Sequence, residues 1–329
     1  MATVNDDALL IETLDDAIEA LKRKKGSFEE WLECAQIFAK HSMWSHLEVA
    51  SKRALESALK RPIKPTLLIE AAQRYTAGSL KVFTSKSEFE SNCRKSQKEL
   101  RALKEVIPVE KRRVHTYLES LTNTLDEILI LLADGSPEAL TSIAARLRKR
   151  LGRSDLSIRV ADVALRSDSS VIPAYVTRGS AYTDIGDFIN AKSDFEFAER
   201  DTKSRPYAIA GYTRLLIKQG KFVDALEKGD ELLLRKVSRP IIFLMAAAAK
   251  GAGNHAAFER FLKIAESLPE SKSGSGRTLL MRQAIRILIE NRQFDAAREL
   301  IQELATFDRP SQVKFLINKL NKESAGNQL

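Results

Sequence analysis

Apolar residues recur along the chain at the three- and four-residue spacing of amphipathic helices. The clearest stretch covers positions 173–198 and reads PAYVTRGSAYTDIGDFINAKSDFEFA. Its first half places Tyr175, Gly179 and Tyr182 on one helical face. After a turn at Gly186, a second apolar face consists of Phe188, Ala191, Phe195 and Ala198. Two short helices joined by a glycine turn cannot bury both faces alone, so this unit predicts copies of itself on either side.

The same turn recurs at a fixed period. Gly186, Gly220 and Gly253 are 34 and then 33 residues apart, and each is followed two positions later by Phe or His. A fourth turn at positions 291–294 follows an insertion at positions 271–276. Small or apolar residues then recur three, seven and ten positions past the aromatic place: Ala191/Phe195/Ala198, Ala225/Gly229/Leu232, Phe258/Leu262/Ala265 and Ala297/Ile301/Leu304. This periodicity predicts a tandem array of helix pairs.

The spacing resembles the tetratricopeptide repeat (TPR), whose pattern is W-x2-L-G-x2-Y…A-x3-F…P. In the first copy the matching places hold Tyr175, Gly179, Tyr182, Ala191 and Phe195. The copy departs from the pattern at the Leu place, which is Arg178. The resemblance implies an all-α fold, a TPR-like α-solenoid in which helix pairs form a right-handed superhelix.

Three regions follow from the pattern. Residues 1–135 are predicted to be an irregular helical half with one degenerate repeat at 27–60, which opens on Ser27 and Glu30 in the order of a capping box. Residues 136–309 are the predicted TPR-like array, in which Gly152 marks a weaker repeat 34 residues before Gly186. Residues 310–329 are a predicted capping helix and tail, with one apolar side made of Val313, Leu316, Ile317 and Leu320.

The amino-acid composition limits which classes of protein the chain can belong to. The 329 residues are 44% hydrophobic and 29% charged, which is typical of a packed globular chain. The sequence has no apolar run of eighteen residues and no basic-then-apolar start, so we expect a cytoplasmic protein without a membrane span. Its two cysteines, Cys34 and Cys93, are too few for a disulfide framework and are interpreted as buried free thiols.

The net charge of +9 is unevenly placed. Residues 51–113 hold 16 basic and 7 acidic residues and form the basic segment. Within it, Arg94, Lys98 and Arg101 have the spacing of one helical face, and Lys111, Arg112 and Arg113 follow. Such a ridge could bind nucleic-acid phosphates or simply be a solvated face. A nucleic-acid-associated accessory protein is therefore the alternative function.

Catalytic and metal chemistry have little support in the sequence. The four histidines form no His-x3-His pair, and two cysteines are too few for a structural zinc site. No nucleophile and base stand in a recognisable arrangement. We expect neither an enzyme, nor a cofactor, nor a metal.

The TPR resemblance implies a concave groove lined by the first helix of each pair. Carried over copy by copy, its ligand-contacting places hold Tyr207, Arg214, Lys218, Phe243, Lys250, Arg282 and Arg286. Val176 and Ser180 stand where chaperone-binding members have a cation and an amide, so a receptor for chaperone tails is not expected. Cations beside aromatics suit an acidic protein segment. The leading hypothesis is thus a protein–protein interaction scaffold or adaptor, with solvated cations as the competing interpretation.

Overall fold

The computed structural model describes residues 16, 18–23, 26–41, 43–58, 63–80, 85–108, 110–235, 239–267 and 276–325. Contacts divide the chain into two compact units, unit 1 (Met1–Thr177) and unit 2 (Arg178–Leu329). The described residues form helices and no strand, which confirms the prediction of an all-α fold. The boundaries predicted at 135/136 and 309/310 mark where the repeat array begins and ends. The division into two units does not test them, so they stay predictions.

Unit 1 combines helix pairs with longer helices. Its helices are α1 (Phe28–Lys40), α2 (Trp44–Ala58), α3 (Pro65–Ser79), α4 (Lys86–Val106), α5 (Arg112–Asp134), α6 (Pro137–Leu151) and α7 (Ser154–Ser167). Consecutive helices pack against one another, but α3 also contacts α5 and α6. The two longest helices, α4 and α5, have 21 and 23 residues, so the regular stacking of short pairs is interrupted here.

The degenerate repeat predicted at 27–60 corresponds to α1 and α2, and its last two residues lie outside the described residues. The Ser27 hydroxyl accepts the Glu30 N–H at 3.3 Å, while the Glu30 carboxylate accepts the Ser27 N–H at 2.8 Å. Both hydrogen bonds of the predicted capping box are therefore present, and they satisfy donors that the helix start leaves unpaired.

A fully buried arginine links distant segments of unit 1. The Arg153 guanidinium donates to both oxygens of Asp155 at 2.9 and 2.8 Å and to the backbone carbonyls of Ala77 and Leu80. It also lies 3.9 Å from the centre of the Trp44 ring. One side chain therefore joins the start of α7 to the end of α3 and the start of α2, and its buried charge is compensated by the partly exposed carboxylate of Asp155.

Unit 2 is a stack of helix pairs. Helix α8 (Ile172–Ile185) crosses the unit boundary, and α9 (Phe188–Ala198), α10 (Arg205–Lys218), α11 (Phe222–Arg235), α12 (Arg239–Gly251), α13 (His255–Ser267), α14 (Gly276–Glu290), α15 (Phe294–Leu304) and α16 (Pro310–Ala325) follow. The first helices α10, α12 and α14 contact one another in succession, as do α14 and α16. The second helices α11, α13 and α15 each pack between their own first helix and the next one, and α9 packs on α10. This pattern of neighbour contacts is that of a solenoid.

The side chains that recur after each turn are buried in all four copies. They are Ala191, Phe195, Ala198, Ala225, Gly229, Leu232, Phe258, Leu262, Ala265, Ala297, Ile301 and Leu304. The spacing found in the sequence therefore marks the packing positions of the second helices. TPR-like helix pairs are confirmed by this burial and by the stacking of the first helices.

The turns between paired helices need a left-handed backbone. Gly186, Gly220 and Gly253 have φ of 87°, 75° and 66°, and Arg292 takes the equivalent position in the fourth turn with φ 59°. Glycine adopts this conformation without steric cost, whereas arginine does not. The fourth turn is thus conformationally less favourable than the other three.

Arg178 stands where the TPR pattern has a leucine, and its ion-pair partner explains this difference. Its Nε and Nη2 atoms donate to the Asp194 carboxylate at 2.9 and 2.7 Å, which makes a bidentate pair across α8 and α9. The Asp194 side chain is only 6% exposed. An ion pair therefore fills the place where the repeat pattern has a leucine.

The C-terminal helix differs from prediction in one detail. Val313, Leu316 and Leu320 are buried, but Ile317 is 40% exposed and Phe315 is 53% exposed. Among the described helices, α16 contacts α14 and α15, and Ile317 lies at the edge of its contact stripe. Ile317 is thus on the predicted apolar side of the helix but is not buried with the other three.

Candidate partner-binding site

Helix α10 carries three of the predicted groove residues. Tyr207 is 71% exposed, and Arg214, two turns further on, is exposed and has no ion-pair partner within the described residues. Lys218, one turn later, lies half-buried and donates from Nζ to the carbonyls of Thr183 and Asp184, both at 2.7 Å. The first two side chains face solvent, whereas the third is engaged with the neighbouring pair.

Lys218 acts as a cap for the preceding first helix. The carbonyls it binds belong to the last turn of α8, and the Thr183 carbonyl also accepts the Gly186 N–H at 3.2 Å. Burial lowers the pKa of Lys218, and Asp184 counteracts this while Arg292 adds to it. Its ammonium therefore stabilises the stacking of two repeats.

The two groove residues on α12 are partly buried. Phe243 packs against the hydrophobic core of unit 2, and Lys250 is only 10% exposed in its side chain. The Lys250 ammonium lies 3.1 Å from the Glu299 carboxylate of α15. Both side chains thus contribute to packing.

The two arginines of α14 have different surroundings. Arg282 donates from Nε to Asp308 at 2.7 Å and also from Nη2, and these hydrogen bonds lower the pKa of the Asp308 carboxyl. Arg286 lies partly exposed, with its guanidinium carbon 6.0 Å from the centre of the Phe315 ring. Arg282 is therefore a structural ion pair, and Arg286 forms a cationic and aromatic surface with Phe315.

A cavity of about 420 Å³ brings three helix ends together in unit 2. Its lining includes Ile185 from the end of α8, Lys218 from α10, and Glu290 and Arg292 from the end of α14. Ile185 is 55% exposed. Ile185 and Arg292 were not among the predicted site residues. The only feature of the sequence that marked Arg292 was the lack of a glycine in the fourth turn.

The basic segment of unit 1 is interleaved with acidic side chains. Arg94 pairs with Glu90 at 2.7 Å, and Arg101 lies 3.6 Å from Asp126. Their neighbours Lys52, Lys95 and Lys104 contact Glu99, Glu48 and Glu119 respectively. Three of these acids, Glu48, Glu119 and Asp126, come from outside the segment, and unit 1 as a whole holds 28 basic and 25 acidic residues. Three of the nine excess positive charges of the segment are thus paired with acids from outside it.

The other predicted residues of the basic patch, Lys98, Lys111, Arg112 and Arg113, lie at two places in unit 1. Lys111 donates to the Ile63 carbonyl at 3.3 Å. Lys98, Arg112 and Arg113 are exposed, and no ion pair engages them within the described residues. Lys98 is on α4, whereas Arg112 and Arg113 open α5. Phosphate binding by this segment stays a prediction.

Catalytic and metal-binding chemistry is not suggested by the described side chains. Among the residues that the structure describes, no three His, Cys, Asp or Glu side chains are grouped to hold a metal ion. Cys93 is buried, and burial raises the pKa of its thiol to about 12, which makes it a poor nucleophile. Cys34 is only partly buried.

The helices of the described ranges were also compared with the requirements of a membrane span. None is both long and apolar enough to cross a membrane.

No protein-family model matches the chain, and no curated protein has a matching sequence. Several solved structures resemble it. One is PilW, a widely conserved type IV pilus biogenesis factor, at 15% identity and a TM-score of 0.40, covering 77% of this chain and 98% of PilW. A TPR protein from Parabacteroides merdae has 14% identity and a TM-score of 0.43, with 89% and 98% covered. Yeast Tom70 has 12% identity and a TM-score of 0.40, with 98% and 94% covered.

Proposed function

We propose that the protein is a non-catalytic interaction scaffold that binds a partner segment along α10 and α14 of unit 2. The observation that carries this proposal is the pair formed by Tyr207 and Arg214, which lie two turns apart on α10 and face solvent. Tyrosine and arginine are the residue types most enriched among side chains that dominate binding energy. A 71% exposed tyrosine beside an arginine without an ion-pair partner among the described residues is therefore suited to an interface.

A second anchor lies on α14 and α16. Arg286 and Phe315 offer a charge and an exposed aromatic ring that already contact each other, which reduces the ordering cost of binding. The rigid stacking of first helices has the same effect on the backbone. The partner segment would thus meet surfaces that change little on binding.

The available cations favour carboxylates in the partner segment. Arg214 and Arg292 are exposed and have no ion pair within the described ranges. A guanidinium binds a carboxylate with two parallel hydrogen bonds. Lys218, Lys250 and Arg282 already have partners inside unit 2, so we assign them to the support of the site rather than to contact with the partner.

The test uses the full-length chain immobilised as bait in a native lysate, at low and moderate salt, with and without nuclease. The variant Tyr207→Ala/Arg214→Ala removes the two exposed groups, and neither side chain makes a hydrogen bond or ion pair with another described residue. If they form a hot spot worth about 3 kcal/mol together, retention of the specific partner falls about 100-fold. The matched control Ile189→Ala/Lys221→Ala removes an exposed apolar group and an exposed cation elsewhere in unit 2.

The proposal requires a protein that is retained by the wild type and the control but not by the double variant, in moderate salt and after nuclease. Equal retention by all three baits would contradict it. Partners that disappear with nuclease would support the alternative of nucleic-acid association through the basic segment.

A further inference from the structure

Arg292 occupies the position that glycine occupies in the other three turns of unit 2. Its φ of 59° lies in the left-handed region, where the Cβ atom of an arginine comes too close to the following carbonyl oxygen. Residues held in such unfavourable backbone conformations cluster at functional sites. An arginine at this place therefore calls for a role of its side chain.

The side chain of Arg292 lines the cavity at the ends of α8, α10 and α14. Its volume of about 420 Å³ lies within the range of about 300–1,000 Å³ that is typical of small-molecule sites. Ile185 and Phe188 contribute apolar side chains to the same lining, and Ile185 is 55% exposed. The cavity thus combines an apolar wall with an exposed guanidinium.

The other charged side chains of the lining are already compensated. Lys218 donates to two backbone carbonyls, and the Glu290 carboxylate lies 2.9 Å from the Lys319 ammonium. Burial lowers the pKa of Lys218, Asp184 raises it, and the charge of Arg292 lowers it again. The Arg292 side chain itself has no ion pair or hydrogen bond within the residues that the structure describes. An anion in the cavity would therefore bind Arg292 and offset its repulsion of Lys218.

We propose that this cavity binds a carboxylate joined to a compact apolar group. The Arg292 guanidinium donates two parallel hydrogen bonds to the carboxylate, and Ile185 and Phe188 contact the apolar group. This inference rests on the proposed function and deepens it, because it assigns the carboxylate to an acidic side chain of the partner segment with an apolar neighbour. The unfavourable backbone of the fourth turn is then the cost of placing a guanidinium at the cavity.

The first experiment compares two probes of nearly equal shape on the full-length chain. 3-Phenylpropanoate carries a carboxylate where 3-phenylpropanamide carries a neutral amide. Titrations followed by saturation-transfer NMR should show that the wild type binds the carboxylate about 10-fold more tightly than the amide, because of the charge-assisted hydrogen bonds from Arg292. In Arg292→Gly this preference should disappear.

Arg292→Gly also separates binding from folding, because it gives the fourth turn the residue type of the other three. Its melting temperature should equal or exceed that of the wild type, since glycine adopts a φ of 59° without steric cost. Arg292→Asn, with a second neutral residue that tolerates this backbone, should bind the probes in the same way. The control Lys263→Ala removes an exposed cation of α13 outside the cavity lining and should keep the preference. The proposal is overturned if the wild type does not prefer the carboxylate, or if both Arg292 variants keep the preference.

The lysate assay then tests where the carboxylate comes from. As bait, Arg292→Gly should retain the specific partner about 10-fold less than the wild type does. Normal retention by this variant would overturn the assignment of the carboxylate to the partner segment. A wild type that retains no partner but prefers 3-phenylpropanoate would contradict the proposed function and assign the cavity to a free small carboxylate, so the two failures are distinguishable.

Discussion

In each unit, one arginine side chain binds another segment of the chain. The two arginines differ in how far along the sequence their partners lie. Arg178 pairs with Asp194 in the same helix pair, sixteen residues away. Arg153 donates to Ala77 and Leu80, 76 and 73 residues away. Unit 2 is therefore stabilised mainly by contacts within and between neighbouring pairs, whereas unit 1 depends on a contact between remote segments. Substitutions should affect the two units to different extents.

The largest effect is expected for Arg153→Leu. The variant leaves two backbone carbonyls and the 33% exposed carboxylate of Asp155 without their donor, and each buried acceptor left unpaired costs about 1–3 kcal/mol, which together makes about 3–5 kcal/mol. The free energy of unfolding of unit 1 should fall by that amount. Urea unfolding followed by tryptophan fluorescence measures it selectively, because both tryptophans, Trp31 and Trp44, lie in unit 1.

Arg146→Leu is the control for Arg153→Leu. Arg146 lies 2.7 Å from Glu127 in a pair whose members are 33% and 54% exposed. Exposed pairs contribute about 0–1 kcal/mol, so this variant should unfold almost like the wild type. A loss below about 1 kcal/mol in Arg153→Leu would show that the long-range contact is not needed for unit 1.

Arg178→Leu should have the next largest effect, although it restores the residue type of the TPR pattern. The substitution leaves the buried carboxylate of Asp194 without its bidentate partner. We expect a loss of about 2–3 kcal/mol, seen as faster hydrogen exchange of amides in α8 and α9. In Arg178→Leu/Asp194→Ala no buried charge remains, and exchange should return most of the way to that of the wild type.

Lys192→Ala controls for the loss of a surface cation in the same helix pair, because Lys192 is 53% exposed and lies 3.6 Å from Glu196. Its exchange rates should match those of the wild type. If the double variant exchanges as fast as Arg178→Leu alone, the carboxylate is not the cause of the instability.

The contrast between the units also explains what the sequence could predict. In unit 2, a side chain at a given place in one repeat meets the same kind of neighbour in the next, so spacing alone located Ala191, Ala225 and Ala297 in the core. Arg178 departed from the TPR pattern, and its role became clear only when Asp194 was found opposite it. In unit 1, nothing near Arg153 in the sequence indicates that it binds the end of α3.

The candidate partner surface was predictable only in part for the same reason. Register along a helix identified exposed positions, and Tyr207 and Arg214 are exposed. Whether a cation is available depends on acids contributed by other helices. Glu299 and Asp308 pair with Lys250 and Arg282, and these pairs could not be found from spacing.

The smallest effects on stability are expected from replacing glycines at which two helices approach closely. The two units should also differ in their response to these substitutions. A Cβ atom added at Gly78 would lie 2.6 Å from the backbone nitrogen of Glu48, which cannot move without shifting α2. At Gly179 the nearest atoms would be 3.1 Å away in the side chains of Asp194 and Phe195 and 3.2 Å away at the backbone carbonyl of Ala191. Alanine is favoured over glycine within a helix by about 1 kcal/mol, which partly offsets either clash.

Gly78→Ala should therefore lower the free energy of unfolding of unit 1 by about 1–2 kcal/mol, because forced overpacking costs about 1–3 kcal/mol. Gly179→Ala should change the stability of α8 and α9 by less than about 0.5 kcal/mol, because contacts of 3.1–3.2 Å need a shift of only a few tenths of an ångström and the gain in helix propensity offsets it. Tryptophan fluorescence reports the first variant and hydrogen exchange the second. Equal losses of unfolding free energy in the two variants would mean that helix spacing is as rigid in the repeats of unit 2 as in unit 1. The difference between local and remote contacts would then not determine how each unit tolerates substitution.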